Sequence, residues 1–285
     1  MKTYLDCYPC FLQQAMKTAR ITTTDDAIVK KVMDRTSAML PDISMEQTPP
    51  ETGKAIYQMV SEITGIEDPY WNHKQQHIAE AKLLYPYLKE KIRQSENPLK
   101  TAIRIAIAGN VIDLGVEQEF DIKRDVETIL HQDLAIDDAE TLISSLSKAR
   151  SVLYIGDNAG ETVFDKLFIE EMDKPVTYVT REKPVINDAT IQDAQASGLD
   201  EVAHIISSGS EAPGTILSLC NSKFKKLFNS ADLVISKGQG NYEGLSREKR
   251  PIFFLLKAKC KIIARDIGVN KNDIIVKAHY MKVNS

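Results

Sequence analysis

Val152-Leu153-Tyr154-Ile155-Gly156-Asp157-Asn158-Ala159-Gly160-Glu161 reads as a short apolar strand that passes through a glycine-containing turn into a helix. Four successive apolar residues without polar alternation belong to a strand covered on both faces, as in a parallel sheet flanked by helices. The same texture recurs downstream in Val176-Thr177-Tyr178-Val179, Val202 to Ile206, Leu233-Val234-Ile235 and Ile252 to Leu256, with helical stretches between. Lys261 to Ala264 reads as a further β-rich run that continues or neighbours the last of these. Upstream, from residue 8 to about 148, apolar residues keep helical spacing, broken at Pro41, Pro49-Pro50, Gly65, Pro69 and Asn97-Pro98. Ile103 to Ala108 is the one strand-like run there, yet its alanines and its three-to-four spacing favour a buried helix. The expected fold class is α/β, with a mainly helical region over 1–148 and a doubly wound domain with a mostly parallel sheet over 149–285.

The composition agrees with an ordinary globular chain. Of 285 residues, 43% are hydrophobic and 27% charged, enough apolar material for a core that needs no disulfide or metal staple. The formal charge of −4 and the lack of a long basic run count against nucleic-acid binding. No apolar run approaches the roughly 18 residues of a membrane span. The first twenty residues lack the apolar core and cleavage site of a secretory signal, so a cytoplasmic location is expected. Four cysteines in a chain of this length do not form a disulfide framework.

In doubly wound sheets, ligands sit beyond the carboxyl ends of the strands, beside the switch in strand order. The residues following each apolar run are therefore the place to look. Asp157 and Asn158 offer a carboxylate and an amide oxygen, hard donors suited to Mg²⁺ or Mn²⁺. Gly160 and the free amides of the following helix start would favour a phosphate. The alternative reading is an Asp N-cap in a βα turn. Asp188, in a second loop on the same rim, reads either as a third oxygen donor or as a cap for Ala189 to Ala196. Lys237 and Lys257 each follow an apolar run, where a lysine can neutralise phosphate as a point charge or simply lie on the surface. Gly238 and Gly240 flank Gln239 in a loop able to bring Asn241 and Glu243 towards a ligand.

Two further motifs stay open. Cys7-Tyr-Pro-Cys10 has the spacing of zinc ligation or dithiol redox work, but no second CxxC completes a zinc site, and the motif precedes a helix rather than following a strand. His73 and His77 have the spacing of a helical metal pair but lack the HExxH glutamate, so they read as helix-surface histidines. GxSxG, GxxxxGK[ST] and DxDx[TV] motifs are absent from the sequence.

Together these segments resemble the damage-control phosphatases, a family once catalogued as domain of unknown function 89, in its prokaryotic branch with an N-terminal CxxC. The resemblance rests on Cys7-Tyr-Pro-Cys10, Asp68-Pro69-Tyr70, Ala108-Gly-Asn-Val-Ile-Asp-Leu-Gly115, Gly156-Asp-Asn-Ala-Gly-Glu161, Ile186-Asn-Asp-Ala-Thr190, Lys237-Gly-Gln-Gly-Asn-Tyr-Glu243 and Leu256-Lys257. Each is weak alone, and their order and spacing together are specific. The resemblance implies a helical N-terminal domain on a Rossmann-like α/β/α three-layer domain. It implies a phosphatase for small phosphorylated metabolites, among them sugar phosphates, phosphopantetheine derivatives and damaged nucleotides, supported by Mn²⁺, Co²⁺, Ni²⁺ or Mg²⁺. The metal ligands fall on Asp157, Asn158 and Asp188, and the phosphate-contacting lysine on Lys257. Lys237 and Asn241 border the substrate, with Glu161 and Glu243 in the same two motifs, and Asn110 and Asp113 wall the pocket from the helical region. The role of the CxxC is left open.

Two routes fit these residues: hydrolysis by water that Asp157 orients, or attack by Asp157 to form an aspartyl-phosphate. Two competing functions are a methyltransferase on the same fold, which the charged GDNAGE turn disfavours, and a metal- or redox-sensing module built on Cys7 and Cys10.

Overall fold

The computed structural model describes residues 1–111 and 122–281. Three helices open the chain, α1 (Cys7–Thr22), α2 (Asp26–Met39) and α3 (Pro49–Thr64). Thr48 and Glu51 close a reciprocal capping box on α3, with Pro49 at its first position. These helices share a small core of their own, centred on Phe11, Val32, Ile56 and Val60.

Then come α4 (Trp71–Gln94), α5 (Pro98–Ala108), α6 (Ile122–His131), β1 (Leu134–Asp137) and α7 (Ala139–Lys148). The remainder alternates: β2 (Val152–Ile155), α8 (Glu161–Glu170), β3 (Val176–Thr180), α9 (Ile191–Ala196), β4 (His204–Ser207), α10 (Ser222–Ser230), β5 (Leu233–Lys237), α11 (Gln239–Leu245), β6 (Ile252–Lys257), α12 (Lys261–Ile267) and β7 (Ile274–His279). The strands form one seven-stranded sheet in the order β1-β7-β6-β5-β2-β3-β4. All neighbours are parallel except β6 and β7.

Strand side chains alternate between two cores, as a pleated sheet covered on both faces requires. Val152, Tyr154, Tyr178, Ile235 and Phe253 pack under α4, α5, α7 and α8, while Leu153, Ile155, Val179, Val234 and Phe254 pack under α10, α11 and α12. Ile103 to Ala108 is indeed helical, and all of it but the half-buried Arg104 is fully buried in the first of these layers.

Three readings of the sequence need correction. Lys261 to Ala264 is the first turn of α12: Cys260 Sγ accepts from Ile263 N (3.4 Å), and Ile262, Ile263 and Ile267 form one buried face. β1 lies within the stretch whose spacing is helical, because a four-residue edge strand with alternating exposure carries little periodic signal. The third β run, which becomes β4, starts at His204 rather than Val202, since Leu199–Glu201 forms a tight helical turn behind the left-handed Gly198.

β3 and β4 extend the sheet to one side of β2, and β5 crosses back to the other side. The strand order therefore switches between β2 and β5. Ile155 pairs with Ser236 there, so Gly156-Asp157 and Lys237-Gly238 emerge side by side.

Candidate active site

The loop after β3 is stitched to the loop after β2 by backbone hydrogen bonds. Ala159 N donates to Asn187 O (2.8 Å), Ala189 N donates to Asp157 O (2.8 Å), and Asn158 and Asp188 form a β-bridge. This pairing brings Asp157, Asn158 and Asp188 together, all buried, on the wall of a cavity of about 370 Å³. Between them in sequence, Ile186 has φ 41°, a left-handed conformation uncommon for a β-branched residue. Local strain thus sits in the loop that carries Asp188.

Arg181, at the end of β3, is 1% exposed. Its Nε donates to Asp188 Oδ2 (2.7 Å), its Nη1 to Thr215 Oγ1 (3.2 Å) and its Nη2 to Asn241 Oδ1 (3.0 Å), and it pairs with Asp157 Oδ1 at 3.7 Å. Burial pushes the Asp157 carboxyl well above its ordinary range, and the charges of Asp188 and Glu161 push it the same way against Lys259 and Arg181.

The other expected residues divide into two groups. Glu243 lines the cavity, with Cys7, Cys10 and Cys260 on the wall formed by the first turn of α1 and the start of α12. Burial raises Glu243 to about 7 and raises the Cys7 thiol. Asn110, Glu161, Lys237 and Asn241 are fully buried behind that wall.

Asn241 does not line the cavity. Its Oδ1 accepts from Arg181 and from Thr215 Oγ1 (2.8 Å), and its Nδ2 donates to Gly156 O (2.8 Å) and Lys237 O (2.7 Å). All four hydrogen-bonding positions of the amide are filled, and they tie β2 to β5 at the switch. Lys237 turns its ammonium inward as well, onto Ala106 O, Glu161 and Asp165.

Lys257 is half-buried at the end of β6; Lys259, two residues on, is the lysine that lines the cavity. Asp113 lies outside the described residues. His73 is half-buried on α4 and is not part of this cavity's lining. Sequence reading missed Arg181, Asp165 and Lys259. Only Lys259 had a legible signal, as a second lysine just beyond the apolar run of β6.

Among the described residues no cluster of three or more His, Cys, Asp or Glu side chains has metal-ligand spacing. Asp157, Asn158 and Asp188 set two carboxylates and one amide side by side on the cavity wall, which Asp6, Gln14, Asn187, Gln239 and Glu243 also line. No helix among the described residues is long and apolar enough to cross a membrane.

Comparison with known proteins bears on what this cavity is for. A family profile described as the damage-control phosphatase ARMT1-like domain matches residues 3–275. A damage-control phosphatase of Pyrococcus horikoshii is 33% identical, over 99% of this chain and 100% of that one. Another from Archaeoglobus fulgidus is 36% identical, over 95% and 97%. An uncharacterized protein of Methanocaldococcus jannaschii is 35% identical, over 95% and 93%. The crystal structure of a DUF89 family protein from Pyrococcus horikoshii superposes with a TM-score of 0.90 at 33% identity, covering 98% of this chain and 99% of that one. This chain belongs to the damage-control phosphatase family.

Proposed function

We propose that the protein is a divalent-metal-dependent phosphatase that hydrolyses phosphate monoesters of small metabolites. The observation that carries this reading is the meeting of Asp157, Asn158 and Asp188 on one cavity wall at the strand-order switch. The residues present fit a cation. The contiguous buried carboxylates of Asp157, Asp188, Glu161 and Asp165 face the buried cations Arg181 and Lys237. When all are ionised, four negative and two positive charges leave two negative charges, the complement of one divalent ion. Buried charge in such excess is costly unless something neutralises it. Burial first, and then the charges of Asp188 and Glu161, raise the Asp157 carboxyl, and a metal would displace its proton.

Asp157, Asn158 and Asp188 would hold the ion, and their hard oxygens suit Mn²⁺, Mg²⁺, Co²⁺ or Ni²⁺. Bound there, it would supply Lewis-acid polarisation of the phosphoryl group and acidify water. Asp157 orients the attacking water and takes its proton. Lys259, in place of the expected Lys257, offsets negative charge on the phosphoryl oxygens from the cavity wall. Phe11, Ile262 and the cysteine side chains give the leaving group a largely apolar wall. A cavity of about 370 Å³ suits a small metabolite rather than a macromolecule.

Turnover of p-nitrophenyl phosphate by the purified, metal-reconstituted protein tests the reading. Activity should disappear in excess EDTA and return with Mn²⁺ or Co²⁺. Undiminished turnover after verified metal removal would sink it. Hydrolysis of an isotopically chiral phosphate ester separates the two routes, since net retention at phosphorus would signal an aspartyl-phosphate on Asp157 and inversion direct attack by water.

A further inference from the structure

Behind the cavity wall lies a polar layer that hydrolysis itself does not use. Lys237 is 0% exposed, and an ammonium has three donors and no acceptor. All three are engaged, with Ala106 O (2.6 Å), Glu161 Oε2 (3.1 Å) and Asp165 Oδ1 (2.6 Å). None is left for a phosphate. Asp165 is fixed in turn by the hydroxyls of Tyr154 and Tyr178, which donate to Oδ1 and Oδ2 at 2.7 Å each.

The other end of this layer reaches the cavity. Glu161 Oε1 accepts from the side-chain amides of both Asn158 (2.6 Å) and Asn110. Each amide also donates to Asp157 Oδ2 at 3.2 Å. Two carboxylates therefore claim the NH₂ ends of two amides, and a flip of either would set Oδ1 against negative charge. The orientation of Asn158, and with it the direction of its Oδ1, is dictated from behind. Asn110 Oδ1 is left buried with no hydrogen-bond partner among the described residues, beside Asp157.

We propose that Lys237, Glu161 and Asp165 form a positioning unit that orients Asn158, Asn110 and Asp157 for the metal, and that Lys237 does not touch substrate. The proposal rests on the reading of Asp157, Asn158 and Asp188 as the metal's ligands. Lys237 holds Glu161 through Oε2, and Glu161 Oε1 accepts from the two amides and so locks them. Groups that orient metal ligands in this way typically govern affinity by about 10–100-fold.

Mn²⁺ alone is the probe. Its affinity for the metal-free full-length protein is measured by titration with electron paramagnetic resonance of free Mn²⁺, for wild type, Lys237→Met and Glu161→Gln. The kcat and KM for p-nitrophenyl phosphate are measured alongside at saturating Mn²⁺. Both variants should bind Mn²⁺ about 10–100-fold more weakly and lose kcat, with KM near the wild-type value. Glu161→Gln is nearly isosteric and keeps the test alive should Lys237→Met not fold. Wild-type Mn²⁺ affinity in a folded variant, with only its melting temperature lowered, would reduce the unit to a structural one and overturn the proposal. A raised KM for Lys237→Met at unchanged Mn²⁺ affinity would overturn it too, by returning Lys237 to the phosphate. A wild type that neither binds Mn²⁺ nor hydrolyses the ester would remove the phosphatase reading and this inference with it. Sound wild-type behaviour with unaffected variants removes this inference alone.

Discussion

Gly238 is the residue at which backbone and chemistry constrain each other most tightly, and Gly238→Ala turns that into numbers. Its φ of 77° and ψ of 163° lie in a region open essentially to glycine alone. A Cβ built there would stand 1.9 Å from Asp157 Oδ2 and 2.2 Å from its Cγ. Side-chain carbons do not approach other heavy atoms closer than about 3 Å, so the carboxylate must retreat by roughly 1 Å. It has little freedom to do so, because Oδ2 accepts from Asn110 and Asn158 and Oδ1 faces Arg181. The backbone strain is worth about 1–3 kcal/mol and the overpacking about as much again. Against a total stability of about 5–15 kcal/mol, most of the variant should stay folded. A 1 Å misplacement of a reacting group costs about 10²-fold in rate, so kcat/KM for p-nitrophenyl phosphate at saturating Mn²⁺ should fall by at least that much. Gly65→Ala is the control. Its φ is 72°, but a Cβ there meets nothing within 4 Å, so it should lose about 1–2 kcal/mol of stability and no activity. Far-ultraviolet circular dichroism and thermal melts run beside the kinetics separate folding from turnover. A folded Gly238→Ala protein with wild-type kcat/KM would refute the argument, because Asp157 would then tolerate displacement.

Lys259→Ala should lower kcat/KM about 10²–10³-fold, and Lys257→Ala far less; steady-state kinetics in the reverse order would return the phosphate contact to Lys257. Arg181→Met should cost about 3–5 kcal/mol by stripping Asp188 of its buried counter-charge, and added Mn²⁺ should recover part of the loss in calorimetric melts. If Mn²⁺ raises the melting temperature of the variant no more than that of wild type, the ion and the guanidinium do not neutralise the same charge. Burial holds Glu243 at about 7 against an ordinary 4.5, so the folded chain keeps its proton longer than the unfolded one. Its stability contribution is present below about pH 4.5 and lost as pH rises through about 7, so the advantage of Glu243→Gln over wild type should grow across that window to about 3 kcal/mol at most. Equal pH–stability curves for the two proteins, by urea denaturation, would contradict it.

How much of this was legible in the sequence follows from which signals are local. Val152 to Ile155 is buried on both faces, and that single fact is written into four consecutive residues, so the parallel sheet could be read directly. The rule that ligands gather beyond strand ends then led to Asp157, Asn158 and Asp188 without any knowledge of contacts. Element identity was lost where segments were short: four-residue β1 shows no clear period, and Lys261 to Ala264, the first turn of a seven-residue helix, is too short to show the helical one.

The direction in which a polar side chain points is not local at all. Lys237 and Lys259 look alike in the sequence, each a lysine at or just beyond the end of an apolar run. Lys237 continues β5, where the alternation of side chains turns it into the layer beneath α5 and α8, onto Ala106 O, Glu161 and Asp165. Lys259 lies past the end of β6, where the chain leaves the pleat, and its backbone N–H donates to Gln239 Oε1 (3.2 Å) in the wall of the cavity. The partners that decide between the two fates lie 72 to 131 residues away in one case and 20 in the other. Asn241 shows the same principle from the other side. An amide in a glycine-rich loop reads as available, yet Arg181, Thr215, Gly156 and Lys237 saturate it. Residue type and spacing thus identify the rim on which the chemistry lies, while the division between groups that face the ligand and groups that hold them is made by tertiary pairing.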